Sequence, residues 1–389
     1  MKILSVIDRL RVRARAGRVA AAVASLLAVA SVSMSAPAVQ DGQWLINSTR
    51  DPARVQLTLM LRSTPGHDHW TGSSLPLARL QGLSREDLDA RSADVHFEIH
   101  RDAGTFLCQG RSGGGRGAGL FELQLAPDFP RELERRGVAG TLSESQQTRL
   151  AFADAGYALL EALEAQHYPT PNVTQLVTMA DHGVDLEYVT GMAALGFKVQ
   201  SLEILVETRD HGVDPDYVRG MQEAGYSGLA LRQLVSTRDH GVDPAYVRGM
   251  AAGGFTGLTL SELVDARDHG VDPDYAAQMR GLGHRDMSLP ELVELRNHGV
   301  DADYARGMAA AGHAGMPLAQ LLVSRDHGVD PQYVRSMAAA GYSDLSIPDL
   351  IRARDHGVDG AFARQVKAKV GKVSLDRLIR IRDGGGMDD

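Results

Sequence analysis

Apolar side chains recur along this chain with two different periods. From Val55 to Leu61 they fill the odd positions, and Val95, Phe97 and Ile99 repeat that arrangement. A period of two places such residues on one face of a half-buried strand. Phe121, Leu123 and Leu125 alternate likewise, Thr105 to Gln109 reads as a returning strand after the turn residues Arg101-Asp102-Ala103-Gly104, and Trp44 with Ile46 adds another. The pattern predicts a small antiparallel β domain over residues 39–126, a sheet or sandwich of four or five strands. Ser112-Gly113-Gly114-Gly115-Arg116-Gly117, within the glycine-rich segment 110–119, resembles a phosphate loop, but such a loop opens a helix and here a strand follows. It is expected to be a flexible hairpin connection.

Residues 127–140 read as a linker in which Pro130 to Gly137 form a short charged helical turn. Beyond residue 141 the period becomes helical, and one phrase returns at a fixed interval, seen most plainly as Arg267-Asp268-His269-Gly270-Val271-Asp272-Pro273. Its glycine falls at Gly183, Gly212, Gly241, Gly270, Gly299, Gly328, Gly357 and Gly385, 29 residues apart until a last step of 28. A repeat of this length signifies stacked supersecondary units. Residues 141–389 are therefore predicted to be an α-solenoid of two-helix repeats, giving the whole chain an α+β multidomain class. Residues 141–168 align with the next unit, Leu159, Leu160, Leu163 and Tyr168 falling on Tyr188, Val189, Met192 and Phe197, but lack Asp-His-Gly. They read as a degenerate capping repeat.

Each unit decodes residue by residue. Thr259 with Glu262 forms a capping box, and Leu258 can staple onto Leu263; Ser288 with Glu291, Met287 with Leu292, and Leu345 with Leu350 keep parts of this logic. The first helix should bury Leu260, Leu263 and Val264 and stop at Gly270, a left-handed C-terminal glycine. Asp272 then caps a second helix with Pro273 at its first position, and Tyr275, Ala276, Met279 and Leu282 form its apolar face up to Gly283. The corner residues are His182, Gly183, His211, Gly212, His240, Gly241, His269, Gly270, His298, Gly299, His327, Gly328, His356 and Gly357. Each histidine sits in a last helical turn, where an imidazole can meet free carbonyls and the negative end of the dipole. Copies about one helix packing distance apart cannot share a metal ion. The Arg-Asp steps at 209–210, 238–239, 267–268, 325–326 and 354–355 read as a ladder of ion pairs between repeats, or as a charged stripe for a partner. Gly191, Gly220, Gly249 and Gly307, with Ser336, share one mid-helix position, which points to a close helix approach; Gln278 and Gln365 break the rule.

Charge and composition narrow the function. A net charge of −8 with arginines beside aspartates carries no footprint for nucleic acid. The single cysteine, Cys108, excludes an intramolecular disulfide and reads as a packed thiol. Lys2 and five arginines up to Arg18 precede an uncharged run from Val19 to Gln40, apolar to Val32, followed by Ala36-Pro37-Ala38; residues 1–38 thus read as a secretory signal peptide, or an uncleaved membrane anchor. The expected location is the periplasm or cell envelope, with membrane attachment only through that segment. In the β domain His96, Glu98 and His100 share one face of a strand and are weak metal candidates, with His67, Asp68 and His69 as further ligands from a preceding loop; a solvated polar face accounts for them more simply.

The phrase Leu-Val-x-x-Arg-Asp-His-Gly-Val-Asp-Pro-x-Tyr-Val-Arg-x-Met resembles helical repeats of bacterial envelope proteins, and those appended to some BlaR-type sensor metallopeptidases. The likeness covers residues 141–385, and Arg101 to Phe106 is similar to the small β domain that precedes such repeats. The peptidase's membrane domain and His-Glu-x-x-His helix are missing, so the resemblance does not imply proteolysis. The expected function is a non-enzymatic, cofactor-free exported scaffold or regulatory protein that binds another protein through its repeats. The alternative is a small-ligand- or metal-binding protein, or an enzyme, with its site in the β domain.

Overall fold

A computed structural model describes residues 39–62, 68–197, 201–283 and 286–384. The segment read as a signal peptide or anchor, residues 1–38, and likewise His67 and Gly385, lie outside the described residues. No helix among them is long and apolar enough to cross a membrane.

Residues 39–125 form one six-stranded antiparallel sheet, more than the four or five strands expected. In chain order the strands are β1 (Val39–Ser48), β2 (Arg54–Arg62), β3 (Asp68–Pro76), β4 (Ala93–Arg101), β5 (Gly104–Gly113) and β6 (Arg116–Leu125), arranged β3-β2-β1-β6-β5-β4. The unexpected member is β3, which also takes Asp68 and His69 out of the loop assigned to them. Its centre, Trp70-Thr71-Gly72-Ser73-Ser74-Leu75, has no apolar alternation because it is an edge strand. One sheet face carries Trp44, Leu57, Leu59, Phe97, Ile99, Phe106, Phe121 and Leu123, all nearly inaccessible to solvent.

The glycine-rich segment is not a flexible connection. It forms the ends of β5 and β6, and only Gly114 and Gly115 make the turn. Trp44 explains the composition. Its indole lies across both strands, so that a Cβ added at Gly110 or Gly119 would come within 2.7 or 2.8 Å of the ring. The indole N–H donates to Gln109 O and Leu120 O at 3.2 and 3.1 Å, and the ring meets Phe97 on β4 edge to face at 5.0 Å.

Helix α1 (Arg85–Asp89) precedes β4, and α2 (Phe129–Arg135) follows β6. Of the two readings of Pro130 to Gly137, linker or short helical turn, the helical one holds: α2 is a packed helix anchored by buried Phe129 and Leu133. The capping unit consists of two helices, α3 (Glu144–Ala153) and α4 (Tyr157–Ala165), followed by α5 (Val173–Asp181) and α6 (Leu186–Ala194) of the first full repeat. Further helix pairs of eight to eleven residues continue the array to Arg382. The glycine of the corner phrase is left-handed in all seven described copies, as at Gly270 with φ +72°. In the capping unit Asp154 takes this place, with φ +55°, a conformation aspartate tolerates better than most residues.

Within a unit the caps are as the sequence predicts. Asp272 accepts from Tyr275 N–H, and its equivalents do the same at 2.7–2.8 Å. The packing of the first helix differs. Leu263 and Ala266 are its buried residues, whereas Leu260 and Val264 are half-buried. Leu282 is also only partly buried, because the second helix ends at Arg280, ahead of it.

Candidate functional site

The corner phrase is a seam between units. The imidazoles do not cap their own helix ends: Nδ1 of each histidine bonds the aspartate of the following unit, as in His182 with Asp210 and His211 with Asp239, at 2.6–3.0 Å along the array. Where Asn297 replaces aspartate, His269 bonds its side-chain oxygen at 2.7 Å. The ion-pair ladder therefore joins histidine to aspartate, and the arginine does something else. Its guanidinium lies over the tyrosine of the preceding unit, as Arg267 over Tyr246 and Arg296 over Tyr275, with centroid distances of 4.8–5.4 Å. The same phenols donate across the seam to a fully buried valine carbonyl, Tyr246 to Val271 at 2.9 Å for example. Burial pushes Tyr246, Tyr275, Tyr304 and Tyr333 up to about 12, with the nearby arginines opposing. Hydrogen bonding to Asp239 raises the His211 imidazole above its ordinary value, against a smaller effect of desolvation.

The mid-helix glycines complete the seam. A Cβ at Gly191, Gly220, Gly249 or Gly307 would come within 2.6 Å of the proline ring that opens the next unit's second helix, Pro215, Pro244, Pro273 and Pro331 respectively. Two departures from the glycine–proline pair, one of them the exception Gln278, are compensated 24 residues on. Gln278 faces a unit with Ala302 in place of proline, and Ser336 one with Gly360, where an added Cβ would strike the Ser336 carbonyl oxygen. The first seam is altered just as consistently: Leu159 stands for tyrosine, Ala180 for arginine and Ala153 for histidine, and Asp181 pairs with Arg149 instead.

On the sheet, His96, Glu98 and His100 all point to the solvent side of β4. His100 Nε2 lies 3.0 Å from Glu98, and its Nδ1 lies 3.2 Å from Thr105 Oγ1. Among the described residues no group of three or more His, Cys, Asp or Glu could hold a metal ion. Cys108 is packed in the core, where burial drives its thiol well above the usual range.

The sheet is locked to the array by the β4–β5 turn. Arg101 donates to the carbonyls of Ala151 and Phe152 at the end of α3, at 2.5 and 2.6 Å. Asp102 accepts from Tyr157 N–H at 2.7 Å and so caps α4, whose own N-cap residue is Gly156. The buried amide of Gln147 donates to Ala103 O and Ala126 O. Beside this junction a cleft of about 760 Å³ separates β3 from α3, the end of α5 and the start of α6. Trp70, 70% exposed, and Leu186, 39% exposed, both line it. Its arginines are engaged: Arg79 pairs with Asp154 at 2.9 Å, and Arg149 with Asp181. Glu187 makes no ion pair among the described residues.

Neither protein-family models nor curated proteins match this chain. The cleft was not legible in the sequence, since its walls come from segments spread over residues 70–190. The seam had a visible signal, the joint loss of glycine and proline at 278 and 302 and at 336 and 360.

Proposed function

We infer that this protein is an exported envelope scaffold that recognises another protein and performs no chemistry itself. The observation that carries the reading is the fate of the repeated polar residues: histidine, arginine, aspartate and tyrosine of each corner are bonded to the neighbouring unit. What varies between units is the exposed helix surface. Glu187, Asp216, Ala245 and Gln332, for example, occupy one exposed position of the second helix. Stacked-helix arrays use such surfaces for macromolecular partners. Export rests on the basic, apolar and small-residue pattern of residues 1–38, and the likeness to envelope-protein repeats agrees with it.

Cross-linking of the tagged full chain in its native cells, followed by mass spectrometry of envelope and cytoplasmic fractions, tests this reading. The expected result is a defined set of cross-links from exposed helix positions to one or a few proteins, in the envelope fraction. Recovery in the cytoplasm, or cross-links to no protein beyond those of an unrelated envelope control, would overturn it.

A further inference from the structure

We propose that the free edge of β3 binds an extended segment of the partner as a seventh strand of the sheet, within the cleft between β3 and the first repeat. This rests on the protein-binding reading above and names where and how the partner docks.

The hydrogen-bond parity of the sheet identifies the available groups. Leu77 N–H donates to Ala53 O across the β2–β3 pair, which turns the odd-numbered residues of β3 toward β2. Ser48 N–H to Gly115 O fixes the same parity independently, through β1 and β2. The even-numbered residues Trp70, Gly72 and Ser74 therefore turn their peptide groups to the outer edge. Of these, the Ser74 carbonyl already accepts from Arg54 Nη2 at 2.6 Å. The N–H groups of Trp70, Gly72 and Ser74 and the carbonyls of Trp70 and Gly72 bond no other described residue. The opposite edge is treated differently: Gln81 pairs with Glu98 of β4 through two 2.9 Å backbone bonds. An unprotected edge is costly to keep because it invites strand addition.

The cleft also supplies side-chain recognition. Gly72, Ser73 and Ser74 leave room for an incoming backbone at the normal strand spacing of about 4.8 Å. Trp70 and Leu186 stand exposed on opposite walls to take apolar side chains. Position 186 holds proline in four of the six later units, packed on the preceding glycine in each; here leucine faces the cleft. Glu187 complements a basic residue. The expected ligand is an extended peptide with apolar residues at alternate positions and one Lys or Arg.

The test uses the full chain and a displayed library of random nine-residue peptides, counter-selected on Gly72→Pro. A Cβ at Gly72 meets nothing nearer than 3.6 Å, and proline is tolerated on an edge strand. Enriched peptides are then synthesised with N-methyl groups on alternate amides in each of the two registers. Binding should shift the emission of Trp70 to the blue, Trp44 being already buried. One methylated register should bind at least about tenfold more weakly and the other like its parent, and Gly72→Pro should lose at least as much. Failure to enrich any peptide, or equal binding by both registers, would overturn strand addition. Enriched peptides that survive Gly72→Pro without moving Trp70 emission would place the contact on the helices, leaving the scaffold reading intact and this proposal refuted. Self-association of the chain that Gly72→Pro abolishes would assign the edge to a second copy, and equally refute it.

Discussion

The seams between repeats and the cleft beside the sheet treat polar groups in opposite ways. At a seam, the histidine, arginine, first aspartate and valine carbonyl of the corner phrase each meet an adjoining unit, and a change on one side is matched on the other. At the cleft, backbone groups of β3 stand open, a tryptophan is exposed, and the first seam departs from the repeat in Leu159, Ala180 and Ala153. Repetition therefore marks what holds the array together. Departure from repetition marks, on the reading proposed above, where it is adapted to a partner.

The sharpest break in that contrast is at the close helix contact. Gly249→Gln should cost about 1–3 kcal/mol through overpacking against Pro273, read from urea unfolding. Adding Pro273→Ala, which copies the natural pair Gln278 and Ala302, should recover about 1 kcal/mol or more; contacting positions couple in this way. Strictly additive losses would mean that the two residues do not share the seam.

At the junction, Asp102→Ala removes the cap of α4, and a loss of about 0.5–2 kcal/mol is expected. Hydrogen exchange should quicken at Tyr157 and its neighbours while the later repeats keep their protection. Uniform loss of protection would show that the turn is not a local lock.

Alkali should act mainly on the seams. Folded phenols at about 12, against an ordinary value of 10, retain protons that the unfolded chain has released. Stability must therefore fall as pH rises past 10 and on toward 12. Replacing Tyr246, Tyr275 and Tyr304 together by phenylalanine, the residue found naturally at Phe362, should flatten that fall in thermal melts from pH 9 to 11. An unchanged slope would remove the tyrosines as its source.

The smallest effect is expected at a single exposed rung. The His211 imidazole, raised by Asp239, adds stability that is complete below its unfolded value and fades as pH climbs through the folded one. His211→Gln should thus lower the melting temperature slightly at pH 5.5 and hardly at all at pH 8. The reverse order would contradict the rung.

The elements of the array were legible because their signals are local: capping residues three apart, a glycine after each first helix, an aspartate before each second. The partners of His, Arg and Tyr lie 21 to 28 residues away in an adjoining unit, beyond any pattern within one repeat. Burial was also misassigned at Leu260 and Val264, since Ala266 packs at the interior where larger residues seemed required. In the sheet, β3 escaped notice because an open edge does not need the alternation that reveals buried strands. The glycines at 110, 117 and 119 read as flexibility but serve the flat approach of Trp44.

The central claim, that the corner phrase holds units together while recognition lies elsewhere, is tested most directly by replacing His211, His240 and His269 together with glutamine. Thermal melting and binding of a cleft-selected peptide are then measured on the same preparation at pH 6. The account predicts a lower melting temperature with unchanged peptide affinity. Lost affinity at an unchanged melting temperature would contradict it.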